Sequence, residues 1–177
     1  MKRKNIKEEI KKYFFINPTV KLRVRQVERE LKLPLPSVIR YCNELEKENI
    51  LNRERISGIY LYSADRTSKN FLLEKKLFNI KNLYEVGLIE HLINELSNPV
   101  IVIFGSYSKG EDIENSDIDL YVQTPSKKGL KIEKFEKLLK RKLHVFIHSN
   151  IKQINNPHLM NNIINGVTLN GFLEVFK

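Results

Sequence analysis

Val100-Ile101-Val102-Ile103-Phe104 is an unbroken apolar run that leads straight into Gly105-Ser106. A run of this length, rich in β-branched residues, reads as a strand buried on both faces, so the chain must supply cover on either side of it. Asp117-Ile118-Asp119-Leu120-Tyr121-Val122 alternates in polarity instead. That predicts a second strand with both aspartates on one face. A helix is expected over 131–141, packing Ile132, Phe135, Leu138 and Leu139, then a third strand at LHVFI, a helix over 151–164 and a short strand in the tail GVTLNGFLEVF. Residues 99–177 are thus expected to form an α+β or α/β domain, a mixed β-sheet flanked by helices.

The first third of the chain has a different pattern. Ile6, Ile10 and Phe14 mark a helix that Asn17-Pro18 ends. Val24, Val27 and Leu31 mark a second helix, and Val38, Ile39, Cys42 and Leu45 a third, with Pro36 in its first turn. ILNRERI and IYLY flank Ser57-Gly58, a two-residue connection suited to a β-hairpin. Three helices followed by a hairpin is the order of a winged helix-turn-helix, assigned to residues 1–66. Residues 67–98 are expected to be a helical connection, two helices or one kinked at Gly87.

Charge separates the same pieces. Residues 1–66 hold 16 Lys/Arg and 9 Asp/Glu, whereas the whole chain of 177 residues is +10. A field of that sign attracts polyanions, which makes duplex DNA a candidate partner through Arg40 on the third helix and Arg53 and Arg55 on the hairpin. The same fold also serves as an interaction or dimerisation module, and homo-oligomers are expected. A single cysteine, Cys42, excludes a disulfide framework and a Cys-based zinc site. No apolar stretch approaches the roughly 20 residues of a membrane span, so a cytoplasmic protein with no membrane partner is expected.

The chemistry lies in FGSYSKGEDIENSDIDLYV. Carboxylates at i and i+2 of a strand can reach one divalent ion, and hard oxygen ligands suit Mg²⁺. A Gly-Ser turn after a buried strand offers amides and a hydroxyl to phosphate, with Lys109 as an added cation. Together these are the parts of a phosphoryl-transfer site.

The stretch Phe104-Gly105-Ser106-Tyr107-Ser108-Lys109-Gly110-Glu111, followed by Ser116-Asp117-Ile118-Asp119-Leu120, resembles the signature of the DNA polymerase beta nucleotidyltransferase superfamily. Over roughly residues 70–177 the chain is similar to its minimal nucleotidyltransferase branch, some members of which carry an N-terminal winged helix. The resemblance implies transfer of a nucleoside monophosphate from an NTP to an acceptor hydroxyl of a protein or nucleic acid. It further implies Mg²⁺ or Mn²⁺ on Asp117 and Asp119, and nucleotide phosphates on Gly105, Ser106 and Lys109. A HEPN-type ribonuclease toxin is the implied partner, which would make the chain an antitoxin. Two departures stand out: Lys109 replaces the usual arginine, and His144 falls where transferring members place a third carboxylate. His148 lies on the same strand face as His144, a weak metal pair without a third ligand. The alternative is a DNA-binding regulator whose altered nucleotidyltransferase domain only senses nucleotide.

Overall fold

The computed structural model describes residues 5–175, and the chain divides into two units, Met1–Phe78 and Asn79–Lys177. The division falls within a helix, inside the stretch the sequence reads as a helical connection.

In the first unit, α1 (Ile6–Ile16) starts at Asn5, whose side chain accepts from the Glu8 amide at 3.3 Å. The helices α2 (Val24–Leu31) and α3 (Leu35–Lys47) follow, the latter entered through Pro34 and Pro36. Strands β2 (Leu51–Ile56) and β3 (Ile59–Ala64) form the expected hairpin, and Ser57 and Gly58 both take positive φ, 48° and 81°, as a tight hairpin turn requires. A two-residue strand β1 (Lys21–Leu22), too short to leave a periodic signal, pairs with β3 and gives the sheet order β1-β3-β2. The core gathers Ile10, Phe14, Val27, Val38, Cys42, Leu45 and Phe71. Ile39, expected in this apolar series, is 42% exposed, because it sits beside the buried stripe of α3 and not on it. Phe71 belongs to α4 (Lys69–Glu85), the helix in which the chain divides.

The second unit is built on a four-stranded mixed sheet with the order β6-β5-β4-β7. Its strands are β4 (Val100–Phe104), β5 (Ile118–Gln123), β6 (Leu143–His148) and β7 (Val167–Asn170). β4 pairs antiparallel with β5 and β7, whereas β5 and β6 run parallel through the crossover helix α7 (Glu133–Leu139). Ile101, Ile103, Leu120, Val122 and Leu143 face one way, against Leu83 of α4, α5 (Leu88–Glu95) and α7. Val102, Phe104 and Tyr121 face the other, where Ile151, Ile154 and α8 (Pro157–Ile164) cover them. The unbroken apolar character of β4 follows from cover on both faces. Leu138, expected to pack, is 61% exposed, since α7 turns Phe135 and Leu139 inward. The expected last helix begins later than the sequence suggests, after a single 3₁₀ turn at Ile151–Gln153.

Candidate active site

The second sheet face is covered over most of its area but open where β4 ends and β5 and β6 begin. Asp119, Tyr121 and Gln123 alternate onto this face with His144, Phe146 and His148 of β6, and the register sets Asp119 beside His144. His144 lies between the two aspartates: Nε2 is 3.5 Å from Asp117 Oδ2 and Nδ1 is 3.5 Å from Asp119 Oδ1. All three side chains reach solvent, at 40% for Asp117, 28% for Asp119 and 57% for His144. Burial, and then the like charge of Asp117, raise the Asp119 carboxyl above its ordinary range despite the opposing pull of His144.

The Gly-Ser element is the start of a short helix, α6 (Gly105–Lys109), and not a simple turn. Gly105 has a φ of 72°, and a Cβ placed there would lie 2.5 Å from Asp119 Oδ2. Only glycine lets the backbone take this conformation while the carboxylate packs against it. Ser108 Oγ donates to the Gly105 carbonyl at 2.8 Å, fixing the helix start. Ser106 is half-buried beside it, and Lys109 is the exposed last residue of α6, in no ion pair among the described residues. His148 is at the far end of β6 from His144, its ring stacked on Tyr121 with 5.9 Å between centroids.

A buried polar cluster under α6 leaves no signal in the sequence. Asp112 is 1% exposed and lies 3.7 Å from Arg141. Asn79 of α4 donates to Asp112 Oδ1 at 2.7 Å and to the Tyr107 carbonyl at 2.9 Å. Burial pushes the Tyr107 phenol up to about 12, so it stays protonated and packs in the core. The cluster holds the loop between α6 and β5 that delivers Asp117. Asn79 and Asp112 are 33 residues apart with no periodicity linking them, so nothing in the sequence pairs them.

Among the described residues no group of three His, Cys, Asp or Glu side chains forms a ready cation cage. Two open carboxylates nevertheless fit Mg²⁺, which keeps several waters and is commonly held by one or two carboxylates together with substrate phosphates. A strand-end glycine against an aspartate pair is an arrangement suited to phosphoryl transfer. Residues 88–169, which hold the entire arrangement, match the family model described as nucleotidyltransferase domain. This supports a polymerase beta-like nucleotidyltransferase domain in that part of the chain. No curated protein matches the chain. Among the described residues no helix is long and apolar enough to cross a membrane.

Proposed function

We propose that the chain transfers a nucleoside monophosphate from an NTP to an acceptor hydroxyl: the hydroxyl oxygen bonds to the α-phosphorus, the bond between the α-phosphorus and the bridging oxygen to the β-phosphate breaks, and pyrophosphate leaves. The observation that carries this reading is the meeting of Asp117, Asp119 and His144 at an open sheet end, with Gly105 packed under the Asp119 carboxylate. Asp117 and Asp119 would hold Mg²⁺ or Mn²⁺, which when bound neutralises triphosphate charge and polarises the phosphorus under attack. The backbone at Gly105-Ser106 and the Lys109 ammonium hold the outer phosphates, Lys109 as a point charge without arginine's bidentate fork. His144, with its ring nitrogens 3.5 Å from Asp117 and from Asp119 at the open sheet end, takes the proton of the attacking hydroxyl, an imidazole being a poor ligand for Mg²⁺ and a common general base.

Calorimetry with MgATP, MgGTP, MgCTP and MgUTP, paired with transfer of label from α-labelled NTP, tests these roles. The double variant Asp117→Asn/Asp119→Asn is expected to lose metal-dependent nucleotide binding. His144→Ala is expected to retain binding and lose transfer by about 10²- to 10⁴-fold. MgNTP binding by the double variant at wild-type affinity refutes the site.

A second reading, of residues 1–66 as a winged helix-turn-helix that contacts duplex DNA, draws support from the hairpin. Arg53 and Arg55 flank the half-exposed ring of Tyr60, at 5.0 and 5.7 Å from its centroid. Arg40 and Arg53 also have local counter-charges, Glu44 at 3.6 Å and Glu46 at 3.2 Å. Arg55 is the residue of the three with the strongest case for binding phosphate.

A further inference from the structure

The parallel pair β5 and β6 has two ends, and the aspartates and His144 use only one of them. At the other, where both strands finish, a cleft of about 370 Å³ opens between the loop that follows β5 and the end of β6 at His148 and Ser149. Its volume lies in the range of small-molecule pockets, and the carboxyl ends of parallel strands are where open α/β sheets place their ligands. Five residues of strand run from Asp119 to Thr124, so about 16 Å separates this cleft from the site described above.

The rim is held by hydrogen bonds that leave its charged groups unused. The Thr124 amide donates to the His148 carbonyl at 2.9 Å, while the Thr124 hydroxyl donates to the Leu96 carbonyl at 3.2 Å and accepts from the Ser126 amide at 3.1 Å. Ser126 Oγ in turn accepts the Lys128 amide at 3.3 Å, and the Ser149 amide donates to Gln153 Oε1 at 3.1 Å. Lys127 makes no ion pair among the described residues, and Lys128 has Glu95 at 3.9 Å, too far for a hydrogen bond. No carboxylate lines the cleft beside these two lysines. His148 Nδ1 is buried without a hydrogen-bond partner where the ring stacks on Tyr121, which leaves Nε2 as the nitrogen able to meet a ligand.

We infer that this cleft binds a small phosphomonoester, its phosphate held by Lys127, Lys128, His148 and the Ser149 hydroxyl and its organic part set against Pro125 and Ile147. Two ammonium groups balance the dianion of a phosphomonoester, whereas one carboxylate or a phosphodiester would leave one of them uncompensated. Lysine donors on a phosphate form charge-assisted hydrogen bonds, the strong kind, and an imidazole N–H and a hydroxyl supply neutral ones. Ile147 is 40% exposed and with Pro125 gives the cleft an apolar wall that a bare phosphate ion leaves uncovered. The inference stands apart from the transfer reading, since it uses no residue of the aspartate site.

The test titrates the isotope-labelled full chain, in chelator, with phenyl phosphate, with inorganic phosphate and with phenol as the uncharged control, and follows amide and imidazole shifts by NMR. Phenyl phosphate should give saturable shifts at the Lys127, Lys128 and Ser149 amides and at the His148 ring. Inorganic phosphate should bind the same residues more weakly, and phenol should leave them unmoved. Lys127→Ala/Lys128→Ala should lower the phenyl phosphate affinity by about tenfold or more through loss of the charge-assisted hydrogen bonds. Its melting temperature should stay at the wild-type value, because both lysines are exposed. Asp117→Asn/Asp119→Asn should bind phenyl phosphate as the wild type does, whatever becomes of its nucleotide binding. Wild-type affinity in the double lysine variant would overturn the proposal, and so would phenol binding as tightly as phenyl phosphate. Shifts confined to Gly105, Ser106 and Lys109 would place the phosphate at the other end of the sheet and overturn it as well.

Discussion

Gly105 is the residue whose identity the site constrains most. Its φ of 72° and the 2.5 Å approach to Asp119 Oδ2 act together, so Gly105→Ala is expected to destabilise the protein by about 1–2 kcal/mol from backbone strain alone. The displaced carboxylate should lower transfer by about 10²-fold, the usual effect of a misplacement near 1 Å; urea unfolding and label transfer measure the two effects separately. Asp119 carries an opposite stress. Its ionised form is disfavoured by burial and by Asp117, which raise its pKa. Asp119→Asn should therefore raise the melting temperature in chelator at pH 8 while removing activity, the trade of stability for function common at such sites. A lower melting temperature for this variant would show that the carboxylate stabilises the fold through His144 more than its burial costs.

At the scale of elements, the loop from α6 to β5 depends on a helix remote in sequence. Asn79 of α4 and Arg141 after α7 both engage Asp112, which is nearly inaccessible. Asp112→Ala leaves a guanidinium, itself only 9% exposed, without its carboxylate. Removing one member of a buried pair costs roughly 3–5 kcal/mol, and a drop of that size in the unfolding free energy from urea titration is expected. Because Asp117 hangs from this loop, nucleotide affinity should fall with it, although Asp112 lies outside the site itself. The exposed Ile39 and Leu138 belong at this scale too. Both sit at helical spacing beside true core positions, and periodicity cannot tell the edge of an apolar stripe from its centre.

Over the whole molecule, charge is distributed by unit and by segment. Residues 1–66 carry a net +7, and within the second unit the basic residues cluster in 127–142. If the first unit binds duplex DNA, affinity must fall steeply with salt through counterion release. Arg53→Ala/Arg55→Ala should lower the salt slope by about one for each phosphate that an arginine no longer neutralises, read by anisotropy with a labelled duplex. Affinity that is flat from low to physiological salt would leave residues 1–66 as an interaction module.

Periodicity and turn chemistry made much of this protein readable from its residues. The strands at 100–104 and 118–123 and the hairpin turned by Ser57-Gly58 are local consequences of side-chain alternation and backbone permissiveness. They are encoded within a few residues, and the structure places them where the sequence points. Asp117, expected on the strand with Asp119, instead ends the loop just before β5, and only Asp119 is a strand residue. Strand order and register are different in kind. β1, the pairing of Asp119 with His144 and the seating of Asp112 between Asn79 and Arg141 join residues distant in the chain. No local pattern specifies such partners. They are chosen when the two sheet faces bury against their helices, because that packing alone fixes which polar groups are left to meet one another.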